Sequence, residues 1–156
     1  MLVKANQYTR KRAFSQECPS LSYFVIKLRH TKYMKALLVD DDQFILELYD
    51  RVFKLEKHDT VLAHDGIEAL KVLETTNPLP DVIVLDIMMP NMDGFGFLEQ
   101  VKSNPKTVDI PVLILSNLYK HEDREKGLAL GGKLFMVKSE HDPKEILAKA
   151  LELIES

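Results

Sequence analysis

Four short apolar runs in this chain end on residues that can do chemistry. KALLV (35–39) runs into Asp40, Asp41 and Asp42, and DVIVL (81–85) runs into Asp86. VLIL (112–115) runs into Ser116, and LFMV (134–137) into Lys138. Carboxylates brought together repel one another and require a cation. Hard oxygen donors with positions left for water suit Mg²⁺, which also shares phosphate readily. A hydroxyl and an ammonium on the other side would hold phosphoryl oxygens. Phosphoryl transfer needs mainly positioning and charge neutralisation. A carboxylate needs no general base to act as a nucleophile. The set points to Asp86 as a group placed to accept a phosphoryl group.

For these residues to meet, the runs must be neighbouring strands with their carboxyl ends on one side. From Met34 onward, apolar runs alternate with amphipathic stretches. KALLV, TVLA, DVIVL, IPVLIL and LFMV read as five strands. Pro111 stands at the start of the fourth, where a lost N–H is tolerated. Between them, Ile45, Leu48, Tyr49 and Val52 form a helical stripe, and Ala69, Leu70 and Leu73 form another. GFGFLEQVKS is a third helix, and HEDREKGLAL a fourth weakened by Gly127. DPKEILAKALELIE is the fifth, with Asp142 as cap, Pro143 in its first turn and Ile146, Leu147, Ala150, Leu151 and Ile154 as its apolar face. Asp42 reads as the cap of the first helix. Strands separated by helices are parallel, and continuously apolar strands have both faces covered. The fold expected is α/β, a doubly wound (βα)5 parallel five-stranded sheet. In such a sheet, ligands bind outside the carboxyl ends of the strands.

Composition sets outer limits. The chain has 156 residues, enough for one domain with a real core, and its hydrophobic and charged contents are those of a globular protein. One cysteine, Cys18, excludes an intrachain disulfide. No apolar run approaches the roughly 20 residues needed to span a bilayer, so no membrane partner is expected. Residues 1–33 carry a net +6 and the remainder a net −9. The acidic body argues against direct nucleic-acid binding. Residues 1–33 read as a basic N-terminal extension, disordered or upstream of a natural start at Met34, and 34–156 as the domain itself.

The motifs resemble those of the response-regulator receiver domains of two-component signalling. The acidic pair in LLVDDD, the aspartate in VIVLDIMMPNMDGF, the serine in VLILSN and the lysine in LFMVKS occur in that family's order and spacing, over about residues 34–155. The resemblance implies a flavodoxin-like strand order 2-1-3-4-5 and cytoplasmic location. It implies that Asp86 is phosphorylated by a histidine kinase or phosphotransfer protein. Asp41 would bind Mg²⁺ directly, Asp40 through water, Asp86 as a further ligand, and Met88 through its backbone carbonyl. Lys138 would pair with the phosphoryl group. Ser116 would move to bond it and Phe135 would rotate inward, together forming the switch. The downstream protein target would meet the face of helix 4, strand 5 and helix 5. A stand-alone receiver of this kind has no output domain and is not an enzyme on other substrates, catalysing only its own phosphorylation and dephosphorylation.

Two features depart from the family. Ser139 follows the lysine where many receivers have a proline after a cis bond. Since a cis bond before a non-proline costs about 3–4 kcal/mol, a trans, differently shaped 138–142 loop is expected. Asn117 stands where a small residue is common. Two further readings compete: a receiver fold serving only as a constitutive interaction module, and a haloacid-dehalogenase-type phosphatase. The latter needs a second aspartate where Met88 stands. His30, His58, His64, His121 and His141 share no metal spacing and read as surface or satisfied residues, and Met88, Met89 and Met92 as packing.

Overall fold

The computed structural model describes residues 33–118 and 120–156, so the expectations for residues 1–32 lie outside the described residues. The elements alternate throughout. Strand β1 (Lys35–Val39) leads to α1 (Gln43–Leu55), and β2 (Asp59–Ala63) to α2 (Gly66–Thr75). β3 (Val82–Leu85) leads to α3 (Gly94–Ser103), and β4 (Val112–Ser116) to α4 (His121–Ala129). β5 (Leu134–Val137) passes through a 3₁₀ turn (Lys138–Glu140) into α5 (Pro143–Glu155). All strand pairs are parallel and the sheet order is β2-β1-β3-β4-β5, the doubly wound arrangement expected.

The sheet is buried on both faces because its strands alternate between two cores. Leu37, Val39, Ile83, Leu85, Val112, Ile114 and Phe135 point to one face, against Ala69 and Leu73 of α2 and Phe97, Leu98 and Val101 of α3. Ala36, Leu38, Val82, Val84, Leu113, Leu115 and Met136 point to the other. There they meet Leu46, Tyr49 and Phe53 of α1 and Ile146, Leu147, Ala150 and Leu151 of α5. This period of two decides which strand-end residues can meet.

Helix α1 departs from its expected stripe. Its buried residues are Leu46, Tyr49 and Phe53, while Ile45, Leu48 and Val52 are only half-buried. The helix is rotated by about one residue because nearly every face of FILELYDRVF carries an apolar residue. The strands beneath it, rather than its own periodicity, choose among them. Its cap is as expected: the Asp42 carboxylate accepts from the N–H groups of Phe44 and Ile45, at 2.9 and 3.3 Å. Helix α5 has the full capping box, Asp142 accepting from Glu145 N at 3.0 Å and Glu145 accepting from Asp142 N at 3.1 Å, with Pro143 in its first turn.

Candidate functional site

The backbone places Asp40 and Asp86 side by side. Asp86 N–H donates to Val39 O at 2.8 Å, which extends the β1–β3 ladder to the residue in question, and Asp40 N–H donates to Ala63 O at 3.1 Å. By the period of two, Asp40 and Asp86 continue the rows Ala36–Leu38 and Val82–Val84, so both face the α1 side of the sheet. Lys138 continues the row of Met136 from β5. Its ammonium bonds to Asp40 Oδ2 at 2.5 Å and Asp86 Oδ2 at 2.7 Å. The other Asp86 oxygen accepts from Ile87 N at 2.6 Å and Met88 N at 3.3 Å. Both carboxylates are buried, Asp40 3% and Asp86 5% exposed, while Asp41 stands exposed at the rim.

Burial sets the electrostatics. It pushes the Asp40 carboxyl above the usual carboxylate range, against the lowering pull of the Lys138 hydrogen bond and charge. Burial alone would lower the Lys138 ammonium, but its hydrogen bonds to Asp40 and Asp86 outweigh this and hold it above its ordinary value. One cation thus neutralises part of a site with three carboxylates. Asp40, Asp41 and Asp86 each offer an oxygen, and these oxygens lie within 4.8 Å of one another. An all-oxygen, net-anionic set of this span fits a hard divalent cation such as Mg²⁺. These residues open on a cavity of about 470 Å³ lined also by Asp42, Ile45, Tyr49, Met88, Asn117 and Ser139.

Residues 36–151 match the response regulator receiver domain family. The chain belongs to that family. Over 121 residues this receiver domain is 36% identical to the gliding motility regulatory protein of Myxococcus xanthus, covering 78% of this chain and 15% of that protein. It is 35% identical over 105 residues to response regulator MprA of Mycobacterium avium, covering 67% of this chain and 44% of that protein. The chain therefore spans less than half the length of either relative. Among solved structures, the receiver domain of the Francisella response regulator 1452 is 34% identical with a TM-score of 0.70, covering 78% of this chain and 97% of that one. The chemotaxis protein CheY4 of Vibrio cholerae is 28% identical with a TM-score of 0.71, covering 78% and 99%. Receiver domains are signalling domains, generally non-enzymatic, that meet histidine kinases or phosphotransfer proteins and downstream targets.

The remaining expected site residues of this receiver domain are distributed differently. Ser116 is fully buried and its hydroxyl accepts from Leu118 N at 3.4 Å. It lies in the row of Val112 and Ile114, the face opposite Asp40 and Asp86, so its neighbour Asn117 lines the cavity instead. Phe135 is on that same opposite face, buried against the α2–α3 core. Met88, expected to pack, is 60% exposed at the cavity rim, whereas Met89 and Met92 do pack against the core. The Lys138–Ser139 bond is not cis, since Asn77–Pro78 is the only cis peptide among the described residues. The chain there turns directly into the 3₁₀ segment. No described helix is long and apolar enough to cross a membrane. The residue that the motifs did not indicate is Tyr49. Its only signal was its place on the sheet-facing side of α1, beginning two turns beyond the acidic loop.

Proposed function

We propose that this receiver domain is a phosphoryl-accepting switch in a two-component phosphorelay, with Asp86 as the acceptor. The observation that carries the reading is the convergence of Asp40, Asp41, Asp86 and Lys138 on one cavity from the ends of β1, β3 and β5. Asp86 would take the phosphoryl group from a histidine kinase or phosphotransfer protein in the cytoplasm. Mg²⁺ would be held by Asp41 and Asp86, by Asp40 through water and by the Met88 carbonyl, and when bound would neutralise charge on the transferred group. Lys138, already against Asp86, would follow its charge onto the phosphoryl oxygens. Ser116 would give up its contact with Leu118 to bond the new group, and Phe135 would repack with it. An added charge of about −1.5 to −2 biases such two-state elements. The change would be read by a downstream protein on the face of α4, β5 and α5. Residues 34–156 would constitute the switching unit, with 1–33 a dispensable basic extension.

The test is intact-protein mass spectrometry after incubation with Mg²⁺ and acetyl phosphate. The expected result is one added phosphoryl group on the wild type and none on Asp86→Ala. Equal addition to the variant would overturn Asp86 as acceptor. No uptake by the wild type, from acetyl phosphate or as the beryllofluoride adduct, would favour a constitutive interaction module.

A further inference from the structure

Tyr49 stands apart from the rest of the α1 core. Its side chain is 5% exposed, and its ring is packed among the residues of the α1–α5 core. Leu38, Leu46, Val84 and Leu115 share with it the small cleft at the floor of the site, beside Asp40 and Asp86. It also lines the larger cavity that Asp40, Asp86 and Lys138 open on. A phenylalanine would keep the ring packing. What tyrosine adds is a hydroxyl, and the structure gives that hydroxyl no hydrogen bond to any described residue. Tyr49 lines the cavity together with Asp40, Asp86 and Lys138, so a group that enters with free oxygens meets an O–H that no acceptor among the described residues occupies. Burial and the neighbouring charges of Asp40 and Asp86 push the phenol up to about 12, so it is a neutral O–H donor at ordinary pH.

The donor inventory of the site points the same way. A phosphoryl group on Asp86 has three terminal oxygens. Lys138 reaches one side of it, and the acidic cluster with its cation would serve another. The Ser116 hydroxyl faces the opposite side of the sheet and must rearrange before it can help. Tyr49 is already on the correct face, on a helix anchored by Leu46 and Phe53.

We propose that the Tyr49 hydroxyl is a further positioning group of this pocket, donating a hydrogen bond to a terminal oxygen of the phosphoryl group on Asp86. The inference rests on the phosphoryl-acceptor reading above. In the reaction with acetyl phosphate, an Asp86 carboxylate oxygen forms a bond to phosphorus as the bond from phosphorus to the acetyl oxygen breaks. Acetate leaves with that electron pair, and no proton is gained or lost. Tyr49 keeps its proton throughout and shares it with an oxygen that becomes more anionic as the group transfers.

The test compares the wild type with Tyr49→Phe, which deletes one oxygen and keeps the ring. Phosphorylation by acetyl phosphate and the affinity for beryllofluoride are each expected to fall by about tenfold, the scale of one hydrogen bond to a charged group. The Mg²⁺ affinity is expected to be unchanged, which a disturbance of the carboxylates would not allow. Wild-type rate and beryllofluoride affinity in the variant overturn the proposal, and so does a parallel loss of Mg²⁺ affinity. A wild type that takes neither phosphoryl group nor beryllofluoride overturns the functional reading, and this one with it. A second measurement needs no variant. In wild-type protein with ¹³C-labelled tyrosine, the Tyr49 Cζ resonance is expected to move when beryllofluoride is added, and a stationary resonance overturns the assignment.

Discussion

Lys138 holds Asp40 and Asp86 with a single ammonium. The aspartates and the lysine were legible in the sequence because each directly follows an apolar strand, and parallel strands bring their carboxyl ends together whatever their order. Which way each side chain points was not legible from the motif alone. Ser116 and Asn117 are adjacent, and one step of strand period separates a buried hydroxyl on the far face from an amide that lines the cavity. Tyr49 was legible only as an apolar residue of α1, since a tyrosine that packs its ring and presents its hydroxyl elsewhere reads as core. Its environment has a consequence that pH exposes. The phenol titrates at about 12 in the folded protein against an ordinary 10. The folded value is the higher one, so the unfolded chain loses its proton first. The stabilising contribution is therefore complete below pH 10 and is lost as pH rises through about 12. Base-induced unfolding of the wild type is expected to steepen in that window relative to Tyr49→Phe, followed by circular dichroism. Superimposable profiles would show that the hydroxyl does not report its burial.

At the scale of elements, the helices position the site by how closely they approach it. Gly94 opens α3, its N–H donating to Ile87 O at 2.9 Å. A Cβ at that position would lie 2.2 Å from the Asp86 carbonyl oxygen and 2.7 Å from Ile87 Cα. The helix start is thus pressed against the backbone that carries the acceptor, and backbone cannot step aside as a flexible side chain can. Gly94→Ala is expected to cost about 1–3 kcal/mol in urea denaturation, the range of an overpacked core. It is also expected to weaken Mg²⁺ binding, because relief of the clash moves the Asp86 segment. An alanine variant with wild-type stability and Mg²⁺ affinity would mean that α3 does not set this geometry. Gly127 on α4 is a softer case, because a Cβ there would meet the end of a side chain rather than backbone. The sequence marks it as a weak point of a helix, but a Cβ there would come within 2.6 Å of Ile114 Cδ1. The glycine is what lets α4 lie close to the sheet. Caps were legible because they are local, and Asp42 and Asp142 act as their spacing indicates. Close approaches and the rotation of α1 were not, because they depend on what lies across the interface.

For the molecule as a whole, the acidic cluster is a place where folding works against itself. The sheet sandwiched between two cores drives Asp40 and Asp86 out of water, and Lys138 compensates only part of the charge that results. Anything that binds the folded cluster and not the unfolded chain must stabilise the entire domain, because the unfolded chain does not hold the ligand oxygens of Asp40, Asp41 and Asp86 within 4.8 Å of one another. A ligand at 100 times its Kd contributes about 2.7 kcal/mol by mass action. Mg²⁺ is therefore expected to raise the Tm of the wild type in a concentration-dependent manner. Asp41 separates metal binding from the integrity of the fold, since it is exposed and on the rim while Asp40 and Asp86 are buried and bonded to Lys138. Asp41→Asn is expected to keep the metal-free Tm within the small range of surface substitutions and to lose most of the Mg²⁺-induced rise. An undiminished rise in that variant would place the cation elsewhere on this acidic surface. A lowered metal-free Tm would give Asp41 a structural part that its exposed position does not indicate.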